Sequence, residues 1–434
     1  MAQDQALATE VAPGPAATAR PPLTGIDFFD PVFLQDPYPA YARLRDEAPV
    51  YRDPRTNIVF VSTHDQIVDI NRQPTVFSNA FAEQLRSGSA AGMDPEELAI
   101  LSQGVAPANT MLTADPPVHT RYRKLGAKAF TFKRVEQMTA YVAQVTEALI
   151  DGFIEDGRCE FKTQFADALP MTIIADALGV PRGDMKMFKR WSDGFIMQLS
   201  GVADREQRLD AARRIIEFQH YFVDMIEQKR KAPTDDIISD LVHADLAEEG
   251  DPRKMNASEL ISILQQLLVA GNETTAHSIT AGMYYLMTQP GLIDKLIAHQ
   301  ELTPGFVEET LRYLTPVNNM WRVAKQDTDI AGLPVRAGDL ILLRYGSGNR
   351  DEAHFAEADR FDPRRENVRS HLAFGAGIHT CIGASLARKE MVTAFPILLR
   401  RLKNPRFQEG RDELRYSPNI LLRGVLALHM AFDA

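Results

Sequence analysis

A mainly α fold with a minor β portion is what this sequence predicts. Helical periodicity dominates from about residue 116 to 325. One long helix is marked out between Asn256 and Pro290, and the strand-like segments are short and scattered. A short helix opens over Pro39 to Leu44, and the β-branched run Asn57 to Ser62 reads as a strand. Residues 79–110 mix Gly, Ser, Ala and Pro without a steady period, and long irregular connections are often functional. Amphipathic helices follow over 134–156, 184–198 and 205–230, with Leu199–Asp204 separating the last two. Residues 329–345 predict a hairpin turning at Arg336-Ala337-Gly338-Asp339. A coil rich in charge and Pro spans 350–373, a further helix covers about 382–402, and 416–433 is mostly strand-like. There is no internal repeat.

Composition narrows the function classes. The chain has 434 residues, 45% hydrophobic and 24% charged, as in soluble globular proteins. Its formal charge of −10 argues against a general nucleic-acid binder. Local basic clusters at Arg121, Arg123 and Lys124, and at Arg388 and Lys389, read most simply as solvated faces. One bridge between Cys159 and Cys381 would add little to so long a chain, so a reducing compartment is expected. Residues 1–25 are rich in Ala and Pro and are expected to be a disordered tail, leaving 26–434 as the folded unit. No run of about 18 apolar residues occurs. A cytoplasmic protein without a membrane anchor is expected.

The long helix begins at a capping box, Asn256-Ala257-Ser258-Glu259, and stops at Pro290-Gly291. Its predicted length is about 34 residues, roughly 50 Å. Leu260, Leu264, Leu267, Gly271 and Thr274 form its buried stripe. At mid-length, Ala270-Gly271-Asn272-Glu273-Thr274-Thr275 interrupts that stripe with a glycine, hydroxyls and a carboxyl. A locally irregular helix with satisfied polar groups is one reading. In the other, Gly271 makes room for a ligand, Thr274 bonds back to Ala270, and Glu273 relays protons.

The segment Phe374-Gly375-Ala376-Gly377-Ile378-His379-Thr380-Cys381-Ile382-Gly383 frames a cysteine with glycines. Such a loop can hold backbone close to a flat ligand. A helix starting near Ile382 would favour the thiolate of Cys381. A lone cysteine is usually a small buried hydrophobe, and that reading stands for Cys159. Paired zinc-ligand spacing is lacking. A nucleophilic Cys381 with His379 as base remains open, with no third group to orient it.

These residues resemble a known family. Phe374-x-x-Gly377-x-x-x-Cys381-x-Gly383 is similar to the haem-binding signature of the cytochrome P450 family. Ala270-Gly271-x-Glu273-Thr274-Thr275 resembles its oxygen-activation motif, and Glu309-Thr310-Leu311-Arg312 its Glu-x-x-Arg pair. The resemblance spans about residues 27–432 and implies that family's single-domain fold, with the long central helix over haem and the Cys loop beneath it. It implies haem b with Cys381 as axial metal ligand, and cofactor contacts from His119, Arg123, Ala270, Gly271, Arg322, Phe374, Gly375, His379 and Gly383. Glu273 and Thr274 would be catalytic. Glu309, Arg312 and Arg365 would hold the Cys loop.

The implied activity is a monooxygenase that inserts one atom of dioxygen into a hydrophobic small molecule, such as a terpenoid, steroid or aromatic compound. NAD(P)H would supply electrons indirectly, through a ferredoxin reductase and an iron–sulfur ferredoxin. The ferredoxin would dock near Arg121, Lys124, Arg388 and Lys389. The substrate pocket would draw on the 79–110 and 190–206 regions, Leu267, Val269, Ala270, Asn318, Asn319, Asn419 and Ile420. A monomer is expected. A peroxide-driven haem-thiolate enzyme, a non-enzymatic haem sensor and a haem-free protein are the rivals.

Overall fold

The computed structural model describes residues 22–82, 85, 94–199, 203–244 and 254–433. The expected tail therefore lies outside the described residues as far as residue 21. Its end moves back, because Leu23–Gly25 form a 3-10 turn and Leu23 packs on the cluster of Phe28, Tyr41 and Phe60. Part of the 79–110 connection, and residues 200–202 of the Leu199–Asp204 separator, also fall outside.

The central helix runs Ala257–Thr288, 32 residues. Its capping box forms in both directions: the Glu259 amide donates to Asn256 Oδ1 at 3.0 Å, and the Asn256 amide to Glu259 Oε2 at 2.8 Å. Gly291, at φ 70°, carries the chain away after the stop. Leu260, Leu264 and Leu267 pack with Trp191, Phe195, Phe218 and Phe222 of the helices Met185–Leu199 and Arg205–Lys231. Ile279, Met283 and Leu286 enter a second cluster with Phe306, Leu311 and Phe395. The helix thus crosses from one half of the core to the other, and its interrupted midpoint falls between them.

The span 134–156 is not one helix. It resolves into Phe132–Gln137, Thr139–Asp151 and the 3-10 turn Ile154–Asp156. Thr131 caps the first piece, and Met138 N–H is shared between the carbonyls of Arg134 and Val135, which bends the path.

The main sheet has five strands in the order Val50–Arg52, Val59–Val61, Leu340–Leu343, Met320–Ala324 and Phe77–Ser78. Val59–Val61 runs parallel to Leu340–Leu343, and the other pairings are antiparallel. The predicted 329–345 hairpin is corrected here. The hairpin is Thr328–Ile330 with Leu333–Val335, turning at Ala331-Gly332, both at positive φ. The Arg336–Asp339 turn also forms, with the Arg336 amide donating to Asp339 Oδ2 at 2.9 Å, but it passes the chain to the main sheet. In the span read as strand-like, 416–433, a regular strand forms at His429–Asp433, which pairs with Arg158–Glu160 and Lys403–Phe407, and upstream there are isolated antiparallel bridges of Tyr416 with Val425 and of Leu422 with Val317. Upstream, Asn419 Oδ1 takes the amides of Leu421 and Leu422, both at 2.9 Å, in place of a ladder.

Candidate active site

The Cys loop is closed by the Cys381 amide donating to Phe374 O at 2.8 Å. Gly375 and Gly377 sit at φ 68° and 71°, a region that favours glycine. A Cβ on Gly377 would stand 2.1 Å from the carbonyl oxygen of Asn71, so the loop also needs glycine for close approach. The helix Ala384–Arg401 follows, and Pro396 is tolerated inside it. Cys381 is surrounded by protein yet its surface stays accessible, so it borders an internal opening. Burial pushes its thiol up. The amides of Gly383 and Ala384 and the guanidiniums of Arg123 and Arg388 pull the other way without overcoming burial. The helix-end effect alone therefore does not produce a thiolate here; a cation against the sulfur would.

The central helix shows a second opening. Ala270 is exposed and Thr274 half-buried in a helix whose neighbouring turns are buried. Thr274 Oγ1 donates to Ala270 O at 2.9 Å, as the sequence predicts. Gly271 lies about 100° around the helix from Ala270. A Cβ there would meet the Ile174 side chain of the helix Ala168–Leu178 at 3.4 Å, an ordinary van der Waals contact, so packing on that helix does not by itself require glycine. Leu267 is buried and Val269 half-buried nearby.

The four expected basic contacts cluster in part. The His119 and His379 rings lie 4.1 Å apart, and both Nε2 atoms are buried without a hydrogen-bond partner. Arg322 is buried, donating to Trp321 O at 2.6 Å and to Asn71 Oδ1. Arg123 donates to Thr380 O. Burial, with His119 and Arg322 close by, pushes His379 down to about 3. Burial and then Arg123 lower His119. Orphaned buried ring nitrogens beside two guanidiniums suit an anionic group such as a haem propionate, so these residues fit the cofactor.

Glu273 turns away from that opening into an ionic cluster that sequence reasoning missed. Its Oε1 lies 3.3 Å from His277 Nε2 and 4.0 Å from Lys162 Nζ, and its Oε2 is buried without a partner. Lys162 donates to both oxygens of Asp167, at 2.8 and 2.9 Å. Lys189 Nζ is 3.7 Å from Asp167 and also pairs with the more exposed Asp193. Burial holds His277 down at about 3, so it is neutral beside the Glu273 carboxylate. Burial alone would lower Lys189, but Asp167, Asp193 and Glu273 around it hold it above the ordinary value. The Lys162–Asp167 pair depends on the π-helical turn Lys162–Ala166, whose i to i+5 bond stacks residues that α periodicity keeps apart. No sequence period signals that pairing.

Below the Cys loop, Glu309 accepts two bonds from Arg312 at 2.7 Å, and Arg365 Nε lies 3.3 Å from both of its oxygens. Arg312 also donates to the carbonyls of Asn349, Ala358 and Arg360, tying its helix to the coil 350–373. The expected pocket amides make contacts within the protein, and each leaves one buried polar atom without a hydrogen-bond partner: Asn318 Nδ2, Asn319 Oδ1 and Asn419 Nδ2. Asn319 donates to Ile420 O at 2.6 Å, Asn318 accepts from Tyr41, and Asn419 bonds its own loop. They border a cavity of only about 10 Å³. Among the expected docking cations, Arg388 is committed to Glu308 at 2.6 and 3.0 Å, and Lys389 pairs with Glu136 at 2.8 Å.

Comparison with known proteins settles the family. The cytochrome P450 family model matches residues 84–424. The chain belongs to the cytochrome P450 family. It is 34% identical over 417 residues to the cytochrome P450 monooxygenase PikC of Streptomyces venezuelae, covering 95% of this chain and 94% of that one. It is 35% identical to the steroid C26-monooxygenase of Mycobacterium tuberculosis, covering 91% and 93%. Among solved structures, CYP109E1 from Bacillus megaterium in complex with corticosterone superposes with a TM-score of 0.78 at 29% identity, covering 92% and 99%. This P450 is therefore a monooxygenase, an oxidoreductase of a haem-carrying bacterial family. Among the described residues no helix is long and apolar enough to cross a membrane.

Proposed function

We propose that this P450 binds haem b through Cys381 and uses dioxygen to hydroxylate or epoxidise a hydrophobic small molecule. The observation that carries the reading is the accessible Cys381 sulfur in its glycine-framed loop, together with the orphaned Nε2 atoms of His119 and His379. Those two histidines, Arg123 and Arg322 would hold the propionates, with Phe374, Gly375 and Gly383 shaping the loop. When bound, haem supplies the reductive activation of dioxygen, with a thiolate ligand favouring O–O cleavage.

The chain's own residues then handle binding and protons. Ala270 and Thr274 face the reaction space. The Thr274 hydroxyl, anchored on Ala270 O, presents its oxygen there. Glu273 delivers protons toward Thr274, drawing on Lys162, Asp167, Lys189 and the surface carboxylate Asp193. Leu267 and Val269 form an apolar wall that keeps bulk water out. Because Glu273 and Thr274 are both present, we favour the dioxygen reaction over the peroxide-driven alternative and over a haem sensor.

A terpenoid, steroid or aromatic substrate suits such a wall, and a steroid is what one relative's name specifies. Electrons would come from NAD(P)H through a reductase and a ferredoxin, docking on the face that carries Arg121, Lys124, Arg388 and Lys389. We place the enzyme in the cytoplasm as a monomer, with the chain from about Leu23 onward as its working unit.

The first test is the absorption spectrum of the dithionite-reduced protein with carbon monoxide. A strongly red-shifted Soret band that Cys381→Ser abolishes supports the reading. A haem protein lacking that shift in fresh samples overturns the thiolate assignment. A spin-state titration with steroids, terpenes and small aromatics then selects among substrate classes.

A further inference from the structure

Away from this site, three ligand-type atoms meet at the start of the helix His64–Asn71. His64 Nδ1 lies 3.2 Å and His354 Nδ1 3.7 Å from Asp65 Oδ1. The other ring nitrogens are both anchored on Ser370. His64 Nε2 is 2.9 Å from its carbonyl oxygen, and His354 Nε2 is 2.8 Å from its hydroxyl oxygen. A carbonyl only accepts, so His64 carries a proton on Nε2. The Ser370 hydroxyl donates its own hydrogen to Asn367 O at 2.7 Å, so it accepts from His354, which carries a proton on Nε2 as well.

Both rings therefore turn Nδ1 toward the Asp65 carboxylate, and the three ligand-type atoms lie within 4.8 Å of one another. The rings are stacked with centroids 3.4 Å apart, so two imidazolium charges would repel each other there. Histidines whose far nitrogens are fixed by a carbonyl and a hydroxyl are the usual arrangement around a bound metal.

We propose that His64, Asp65 and His354 bind one divalent transition-metal ion of the zinc class, with water completing a four-coordinate site. Two imidazoles and a carboxylate are a donor set that zinc takes readily. The Asp65 side chain is 91% exposed, which leaves the water position open. The rings lie 12° from parallel, so the more exposed His354 tilts toward the ion on binding.

The ion clamps this helix to the coil that leads into the Cys loop. Asn71, at the helix's other end, abuts Gly377 and receives Arg322, so the clamp braces one edge of the candidate haem site.

Untagged, haem-loaded protein is equilibrated with micromolar Zn²⁺, and bound zinc and thermal melting are measured for wild type, His354→Gln and Asp65→Asn. The expected result is about one zinc per wild-type chain, binding weakened about 10-fold or more in each variant, and a melting point that zinc raises in wild type alone. Equal uptake by wild type and His354→Gln, or no stoichiometric uptake by wild type, overturns the proposal and leaves a proton on His64 as the link to Asp65. Both changed side chains are solvent-accessible, and zinc-free melts of the three proteins verify that each is folded.

Discussion

At the scale of single residues, the decisive feature is where side chains one position apart on the central helix point. Thr274 turns to the opening that Ala270 borders, while Glu273 turns to Lys162 and His277. The two motif residues thus stand on different faces, and a proton passing between them changes environment from ionic to apolar. Glu273→Gln is expected to lower reductant-supported turnover about 10²-fold and to raise the solvent deuterium isotope effect. Haem content and substrate binding are expected to stay as in wild type. A variant that keeps full turnover would remove Glu273 from the proton route. The motif itself is legible in the sequence. Lys162, Asp167 and Lys189 are not, because their charges converge only through a π-helical turn and the approach of the helix Met185–Leu199.

At the scale of elements, the helix Thr303–Leu314 and the coil 350–373 are joined through one guanidinium. Arg312 is fully buried and spends its donors on Glu309 and on the carbonyls of Asn349, Ala358 and Arg360. Lysine offers three donors from one atom and cannot span that fork. Arg312→Lys is therefore expected to destabilise the fold by about 3 kcal/mol, read as a lower midpoint in urea with an unchanged slope. Loss of haem on dilution should accompany it, because the coil leads directly into the Cys loop. The Glu-x-x-Arg spacing announced the i, i+3 pair. The three carbonyls it serves come from a coil some 40 residues on, which no local pattern announces.

At the scale of the whole molecule, acid stability follows from Glu308 and His371. Burial pushes the Glu308 carboxyl up, but bonds from His371 at 2.9 Å and from Arg388 outweigh it and hold it at about 2, below its ordinary 4.5. A depressed carboxylate stabilises the fold fully above its unfolded value, and that contribution is lost as pH falls from about 4.5 toward 2. His371 is lowered too, chiefly by burial, so the unfolded chain takes up its proton first and stability begins to fall below 6.5. The melting temperature should decline from about pH 6.5 downward, more steeply below 4.5. Glu308→Gln should lower it at neutral pH and flatten the lower limb. Its cost is on the order of 2 kcal/mol, under the 3–5 of a fully buried pair, because Arg388 is 33% exposed. An unchanged acid limb in that variant would assign the loss to other carboxylates.

By itself the sequence determined what local chemistry and spacing determine. The mainly α class, the capped central helix, the glycine-framed cysteine and the Glu309–Arg312 pair are all short-range patterns, and each appears where its residues predict. The tertiary structure alone decided which neighbour each exceptional residue meets. Gly271 faces Ile174, Asn318 accepts from the Tyr41 hydroxyl while Asn319 and Asn419 bond backbone, and Arg388 is tied to Glu308. It also decided that Leu340–Leu343 joins Val59–Val61 in parallel instead of closing a hairpin, since Ala331-Gly332 had already supplied the tighter turn. The physical reason is common to all of these. Propensity and period act over a few residues, whereas burial, orphaned polar atoms and ion-pair partners are set by segments that meet only after the chain has packed.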